Sequence, residues 1–203
     1  MLYTRDINNK EILLQDGNNE QVMMEWEVPY MNALIDNVKP KDMDVLEIGY
    51  GLGYSAKRIQ SYKPKSHTII ECSNTVISKA NKDKLNINIV EGKWQDRIHS
   101  LGEYDFIFFD DHSYNKWDNE LDMWVDANRT FMFIDLCIEY HLKKDGVISF
   151  YSNREDSLVE RFKHDNRIEY TEKSIEVDIP DNCNYKKNNK CIIPLVCKTD
   201  CMK

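Results

Sequence analysis

Apolar positions along this chain recur in short blocks, separated by polar or glycine-bearing turns, and the blocks alternate between helical and strand periodicity. Residues 20–38 carry Val22, Met23, Trp26, Tyr30, Ala33, Leu34 and Val38 near helical spacing with Pro29 in the middle, which predicts two short helices around a kink. After the breaker 39–42, residues 44–48 read as a strand, 49–53 as a glycine turn and 55–62 as a helix, the first unit of a βαβ fold. The alternation repeats with strands at 67–71, 87–90, 104–110 and 146–151 and helices at 74–83 and 128–142. Strands this short and apolar, set between helices, predict a parallel sheet buried on both faces, with ligands bound just past the carboxyl ends of its first four strands. The end of the chain differs: 174–179 alternates and 191–197 is apolar, which predicts a terminal antiparallel pair with Pro194 at an edge or bulge. The expected fold is α/β, a Rossmann-like, mostly parallel seven-stranded sheet with helices on both faces.

Composition narrows the picture. With 203 residues and 41 % hydrophobic content the sequence fits one domain, read as 21–203, preceded by a segment 1–20 whose role as a lid over the site is left open. A net charge of −8 repels phosphate backbones, so nucleic acid is not expected as a partner. The sequence has neither a leader-like apolar core nor a membrane-length apolar run, which reads as a cytoplasmic protein with no membrane partner. The six cysteines read as reduced thiols, and the four near the end, Cys183, Cys191, Cys197 and Cys201, lack zinc-site spacing, so no metal is expected. Nothing in the sequence fixes the oligomeric state.

The glycine turn Glu47-Ile-Gly49-Tyr50-Gly51-Leu-Gly53 permits close backbone approach to a ligand. The acid before the first glycine, Glu47, would repel the pyrophosphate of a dinucleotide. It suits S-adenosylmethionine, a donor without phosphates whose amino acid end is cationic. Glu71 ends the second strand, 24 residues after Glu47, where a carboxylate accepts from both ribose hydroxyls. Trp94, after the third strand, is placed to flank the adenine, with Gln95 bonding its edge. Taken singly, Trp94 also reads as ordinary core and Glu71 as a solvated strand end; their placement at successive strand ends favours the cofactor.

Asp110 ends the fourth strand and is followed by Asp111. Alternation along a strand sends only one of two successive acids into a pocket, so Asp110 is assigned to the acceptor and Asp111 to solvent or a cap. At these residues the sequence resembles the guanidinoacetate N-methyltransferase family and, less closely, the fungal protein-arginine methyltransferases that act on the internal guanidino nitrogen. The resemblance rests on Val22-Met23, Trp26-Glu27-x-Pro29-Tyr30-Met31, 45–51, 69–72, 92–96, 104–110 and 192–196, spanning roughly 22–198. Its most specific element is Trp-Glu-x-Pro-Tyr-Met.

The resemblance implies a class I S-adenosylmethionine-dependent N-methyltransferase whose cofactor is lined by Met23, Tyr50, Gly51, Glu71, Cys72, Trp94 and Gln95, with Met31 nearby. Glu27 and Asp110 then form the carboxylate pair that holds and deprotonates a guanidinium, and Asn153 and Arg154 fall where the acceptor's own carboxylate is received. A bland reading makes Glu27 a helix-face carboxylate paired with a lysine. His112 shapes the pocket rather than acting as base, because imidazole is too weak to take a guanidinium proton. His67, His99, His141 and His164 fall on strand edges or helix surfaces and carry no signal.

The expected reaction is methyl transfer to a small guanidino acid. Two alternatives stand beside it: methylation of arginine, free or in a protein, and a non-catalytic cofactor-binding module. The sequence has no counterpart of the fungal enzyme's additional N-terminal domain, which reads against a protein acceptor. His112, the side-chain cation of Arg154 and the stretch 113–127, longer than the family's and expected over the acceptor entrance, depart from the family pattern.

Overall fold

The structure, a computed structural model, describes residues 1–112, 120–154 and 156–199, with 120–128 described by their backbone alone. Three short strands, β1 (Leu2–Arg5), β2 (Glu11–Leu14) and β3 (Gln21–Met24), form an antiparallel sheet of their own. Residues 25–27 then make a 3-10 turn that leads into helix α1 (Val28–Asp36). This corrects the two kinked helices expected over 20–38. The run Val22-Met23-Met24 has apolar residues on both faces of a strand, Met23 packing towards the main core and Met24 beside Ile12 and Cys183. Pro29 lies in the first turn of α1, where its missing N–H breaks no helical bond, so it starts one helix instead of bending two.

The main sheet is built from β4 (Asp44–Ile48), helix α2 (Tyr54–Ser61), β5 (Ser66–Glu71), helix α3 (Asn74–Asp83), β6 (Asn88–Glu91) and the single-turn helix α4 (Trp94–Arg97). It continues with β7 (Tyr104–Phe109), helix α5 (Glu120–Tyr140), β8 (Leu142–Phe150), the short helix α6 (Val159–Phe162), β9 (Ile168–Glu176) and β10 (Lys190–Lys198). Its seven strands run in the order β6-β5-β4-β7-β8-β10-β9. The first five are parallel, and β10 pairs antiparallel with both β8 and β9. Both faces are covered, because successive residues of each central strand point to opposite sides. Val45, Ile69, Phe106 and Phe108 pack on one face with α1, α2 and α3, while Leu46, Ile48, Ile70, Ile107 and Phe109 meet Phe133, Ile134 and Ile138 of α5 on the other.

Pro194 does not mark an edge. Strand β10 lies between β8 and β9, and the Pro194 carbonyl accepts from the buried Ser149 hydroxyl at 2.9 Å. Helix α5 and strand β9 both begin earlier than expected, α5 by eight residues and β9 by six. Residues 113–119 of the stretch expected over the acceptor entrance, and Cys201, lie outside the described residues. Among the described residues no helix is long and apolar enough to cross a membrane.

Candidate active site

The carboxyl ends of β4, β5 and β7 are tied together by backbone bonds: Gly49 N donates to Ile70 O at 3.0 Å and Asp110 N to Ile48 O at 3.1 Å. Between them the glycine turn takes left-handed conformations, with φ of 82° at Gly49 and 52° at Gly51. A side chain has no room at either position. A Cβ on Gly49 would stand 2.3 Å from the Asp110 carbonyl oxygen, and one on Gly51 2.7 Å from Met23 Sδ. The small N-terminal sheet closes over this turn, with Tyr3 Oη donating to Gly51 O at 2.8 Å and Leu52 N donating to Met23 Sδ at 3.3 Å.

A cleft opens where these elements meet. It brings together Met23, Gly49, Gly51, Glu71, Cys72, Trp94, Gln95, Asp110 and His112, all singled out in the sequence. Glu71 is buried, and its carboxylate accepts from the backbone N–H groups of Tyr50, Cys72 and Ser73 at 3.0, 2.8 and 2.8 Å. Burial nevertheless raises its pKa, those three bonds opposing the rise. Trp94 has one side in the core and one in the cleft wall. Its ring packs edge-on against Phe133 at 5.1 Å in the core, while its indole N–H donates to Asp111 at 2.7 Å in the cleft wall.

Several expected contacts lie outside this cleft. Met31, on the inner face of α1, is wholly buried in the core. Tyr50 gives its backbone N–H to Glu71, while its hydroxyl turns away to Asp83 at 2.7 Å. Gly53 caps α2 with φ of 78°, its Cα facing the Tyr50 ring. Glu47 lies beneath the turn, fully buried, where it accepts from the Ser55 hydroxyl and from His67 Nε2 at 2.8 Å. His67 Nδ1 accepts in turn from the Gln60 amide at 3.1 Å. His67 is therefore not a strand-edge residue. It shares a face with Glu47, since Val45 pairs with His67 and Glu47 with Ile69.

Asp111 is also corrected: it lines the cleft beside Asp110 and pairs with Arg129. Strand β7 stops at Phe109, so the alternation rule used to send Asp111 outward has no hold on residues 110 and 111. Burial raises the pKa of Asp111 against the opposing Arg129 charge and the Trp94 bond. Burial also lowers that of His112, against the opposing charges of Glu20 and Asp111, and its Nε2 lies 3.4 Å from Gln15 Oε1.

Glu27 is buried, while Asp110 is half-buried in the cleft wall. Glu27 is not the helix-face carboxylate of the bland reading. Its Oε1 accepts from Met24 N at 3.0 Å and from the Tyr185 hydroxyl, and burial pushes its pKa up to about 7 against those two bonds. Asp110 is raised well above the carboxylate range by burial and then by the nearby charges of Glu27, Glu47 and Asp111. Two carboxyls thus sit within electrostatic reach of each other behind the glycine turn. Tyr30, in the specific motif, bridges the surrounding elements: its hydroxyl donates to Ile192 O at 2.6 Å and accepts from Ser152 N at 3.2 Å. Asn153 and Arg154 are exposed; the Asn153 side chain accepts from Tyr151 Oη, and Arg154 N donates to Ser152 Oγ. Tyr185 escaped the sequence reading because it stands in a polar loop with no periodicity to mark its direction.

This fold, with its cleft past the carboxyl ends of the parallel strands, is that of a class I methyltransferase. A methyltransferase from Pyrococcus furiosus superimposes with a TM-score of 0.61 at 12 % identity, covering 96 % of this chain and 91 % of that one. The N-methyltransferase NodS from Bradyrhizobium japonicum superimposes with a TM-score of 0.58 at 14 % identity, over 92 % and 100 %. The family model for guanidinoacetate N-methyltransferase matches residues 9–157. The chain belongs to that family, which bears out the resemblance seen in its motifs. Protein arginine N-methyltransferase 2 of Saccharomyces cerevisiae is 26 % identical over 86 % of this chain and 48 % of its own length, and that of Candida glabrata 31 % identical over 70 % and 35 %. The chain therefore spans about half or less of these curated relatives.

Proposed function

We propose that this chain transfers a methyl group from S-adenosylmethionine to a guanidino nitrogen, with a small guanidino acid as acceptor. The observation that carries the reading is the carboxyl pair of buried Glu27 and cleft-lining Asp110, close enough for the charge of one to act on the other. The cleft suits that cofactor: two glycines leave room only for backbone, and an acid stands at the end of the second strand. Glu71 would hold the ribose hydroxyls, Met23, Cys72, Trp94 and Gln95 the adenosine, and the backbone of Gly49 to Gly51 the amino acid end. When bound, the cofactor supplies an electrophilic methyl group on a sulfonium.

The chain's own residues supply the rest. A guanidinium has a pKa above about 12 and no free lone pair, so it is a poor nucleophile as it arrives. Glu27 already uses Oε1 for Tyr185 and Met24, which leaves Oε2 for the acceptor. Together with Asp110 it would clamp the guanidinium, hold one nitrogen in line with the methyl group, and take a proton as the C–N bond forms.

A second reading has a specific observation behind it: the curated fungal relatives are named as arginine N-methyltransferases. The two readings part on the acceptor alone. A mass-spectrometric assay with labelled S-adenosylmethionine against guanidinoacetate, other guanidino acids, free arginine and an arginine peptide tests both. Turnover of a small guanidino acid supports the first reading, and turnover of the peptide alone replaces it with the second. Turnover of none, with the cofactor still bound, supports a non-catalytic module.

A further inference from the structure

Among the described residues, three buried side-chain polar atoms have no hydrogen-bond partner: Trp26 Nε1, Asn182 Oδ1 and Lys186 Nζ. All three lie where the turn carrying Glu27 meets the loop 177–189 between β9 and β10. The rings of Trp26 and Tyr185 are 6.0 Å apart, and Asn182 is fastened to the N-terminal segment through Gln21 and Asp6. Lys186 is the extreme case. It is 4 % exposed, and its ammonium keeps three donors out of water with nothing to receive them. No hydrogen bond joins it to Glu27, although Glu27 accepts from the neighbouring Tyr185.

The surroundings of that ammonium place it in the acceptor half of the molecule. Burial pushes the Cys191 thiol up to about 11, with the Lys186 charge opposing the rise and the Glu27 charge adding to it, so both act on one thiol. Cys191 adjoins Ile192, whose carbonyl is held by Tyr30, and the same Tyr30 hydroxyl receives Ser152 N from the segment after β8. Lys186 thus lies in the loop that enters β10, at the end of the sheet where the segment after β8 also emerges. Asn153 and Arg154, the residues the family resemblance assigned to the acceptor's carboxylate, are exposed.

Resting on the guanidino methyltransferase reading above, we propose that the Lys186 ammonium receives the carboxylate of a small guanidino acid while Glu27 and Asp110 hold its guanidinium. Lys186 is then the specificity-determining residue. Two carboxyls that charge on pairing with a cation, and one ammonium, match the two ends of a single zwitterion, and the acceptor carboxylate gives the buried ammonium the partner it lacks. An arginine inside a peptide has no carboxylate at that distance from its guanidinium. It would leave the ammonium unpaired, so the same residue rejects it.

The test is calorimetric binding to the full chain saturated with S-adenosylhomocysteine, using guanidinoacetate, 3-guanidinopropionate and the amide of each as probes, for the native protein, Lys186→Met and Lys186→Arg. The native protein is expected to bind an acid at least about 30-fold more tightly than its amide, on the scale of a charge-assisted hydrogen bond. Lys186→Met is expected to abolish that preference with amide affinity unchanged, and Lys186→Arg to restore part of it. Equal binding of acid and amide by the native protein overturns the proposal. So does a Lys186→Met variant that keeps the preference, or one that loses acid and amide alike as a structural lesion would. Binding of neither probe class, with S-adenosylhomocysteine still bound, overturns the guanidino reading as well and is seen separately from the other outcomes.

Discussion

The Tyr185 hydroxyl donates to Oε1 of Glu27, joining residues 158 positions apart in a partly buried bond. A donor to a buried carboxylate favours its charged form, so this bond holds the Glu27 pKa below what burial alone would give. Tyr185→Phe is expected to move the acid limb of the kcat/KM profile to higher pH. The activity lost at pH 7 should be roughly 10- to 100-fold, the scale of a hydrogen bond to a charged group. A pH–rate profile of the variant checks this, and an unmoved limb would show that Glu27 is not the group titrating.

Glu27 also sets a conflict between folding and chemistry. Its native pKa of about 7 stands above the ordinary 4.5, so the folded chain holds this proton more tightly than the unfolded one. The stability it contributes is complete below about pH 4.5 and is lost as pH rises through 7. Glu27→Gln keeps the shape and removes the titration. At pH 8 the variant is expected to melt higher than the native protein, by about 2–4 °C for each kcal/mol relieved, while at pH 4.5 the two converge. Methyl transfer should fall by about 100-fold or more. Melting curves at the two pH values test the sign.

A cationic acceptor entering between Glu27 and Asp110 must draw both carboxyls towards their charged forms, since both are raised without such a partner charge. Binding of guanidinoacetate near pH 7 is therefore expected to release protons. Titrations in two buffers of different ionisation enthalpy read that number directly, and Asp110→Asn should reduce it. Proton uptake would contradict the pairing.

The two crowded glycines differ in what crowds them. Gly49 is opposed by the Asp110 backbone carbonyl, which cannot move without disturbing the end of β7, whereas Gly51 is opposed by the end of the flexible Met23 side chain. Both substitutions to alanine carry left-handed strain, of order 1–3 kcal/mol. Gly49→Ala is expected to do more damage to S-adenosylhomocysteine binding and to the melting temperature, and adding Met23→Ala should recover part of the loss in Gly51→Ala only. Equal damage with no recovery would place the steric limit elsewhere.

Much of this was legible in the chain before any coordinates. Short, wholly apolar runs such as Phe106 to Phe109, whose neighbours are buried on opposite faces, announce a doubly covered sheet, and glycine and acid at successive strand ends announce a cleft. The misreadings share a cause. Val22-Met23-Met24 satisfies helix and strand alike, and only pairing with Ile12 to Leu14 decides between them. Asp111 was judged by a strand rule past the end of the strand. Glu47 was given a ligand because its partners, Ser55 and His67, are a hydroxyl and an imidazole brought to it by other elements. Tyr185 and Lys186 sit in a loop whose direction is set by bonds to residues more than 150 positions away, a relation that no local pattern encodes.

The antiparallel course of β10 has one more outcome. Because that strand runs against β8, the loop preceding it returns to the rim where the parallel strands end, bringing Tyr185 to Glu27 with Lys186 next in sequence. That loop gives no rung to the seven-stranded ladder. Substitutions in it therefore break no strand pairing, so the groups set beside Glu27 can change while the glycine turn and the strand ends that line the cleft keep their places.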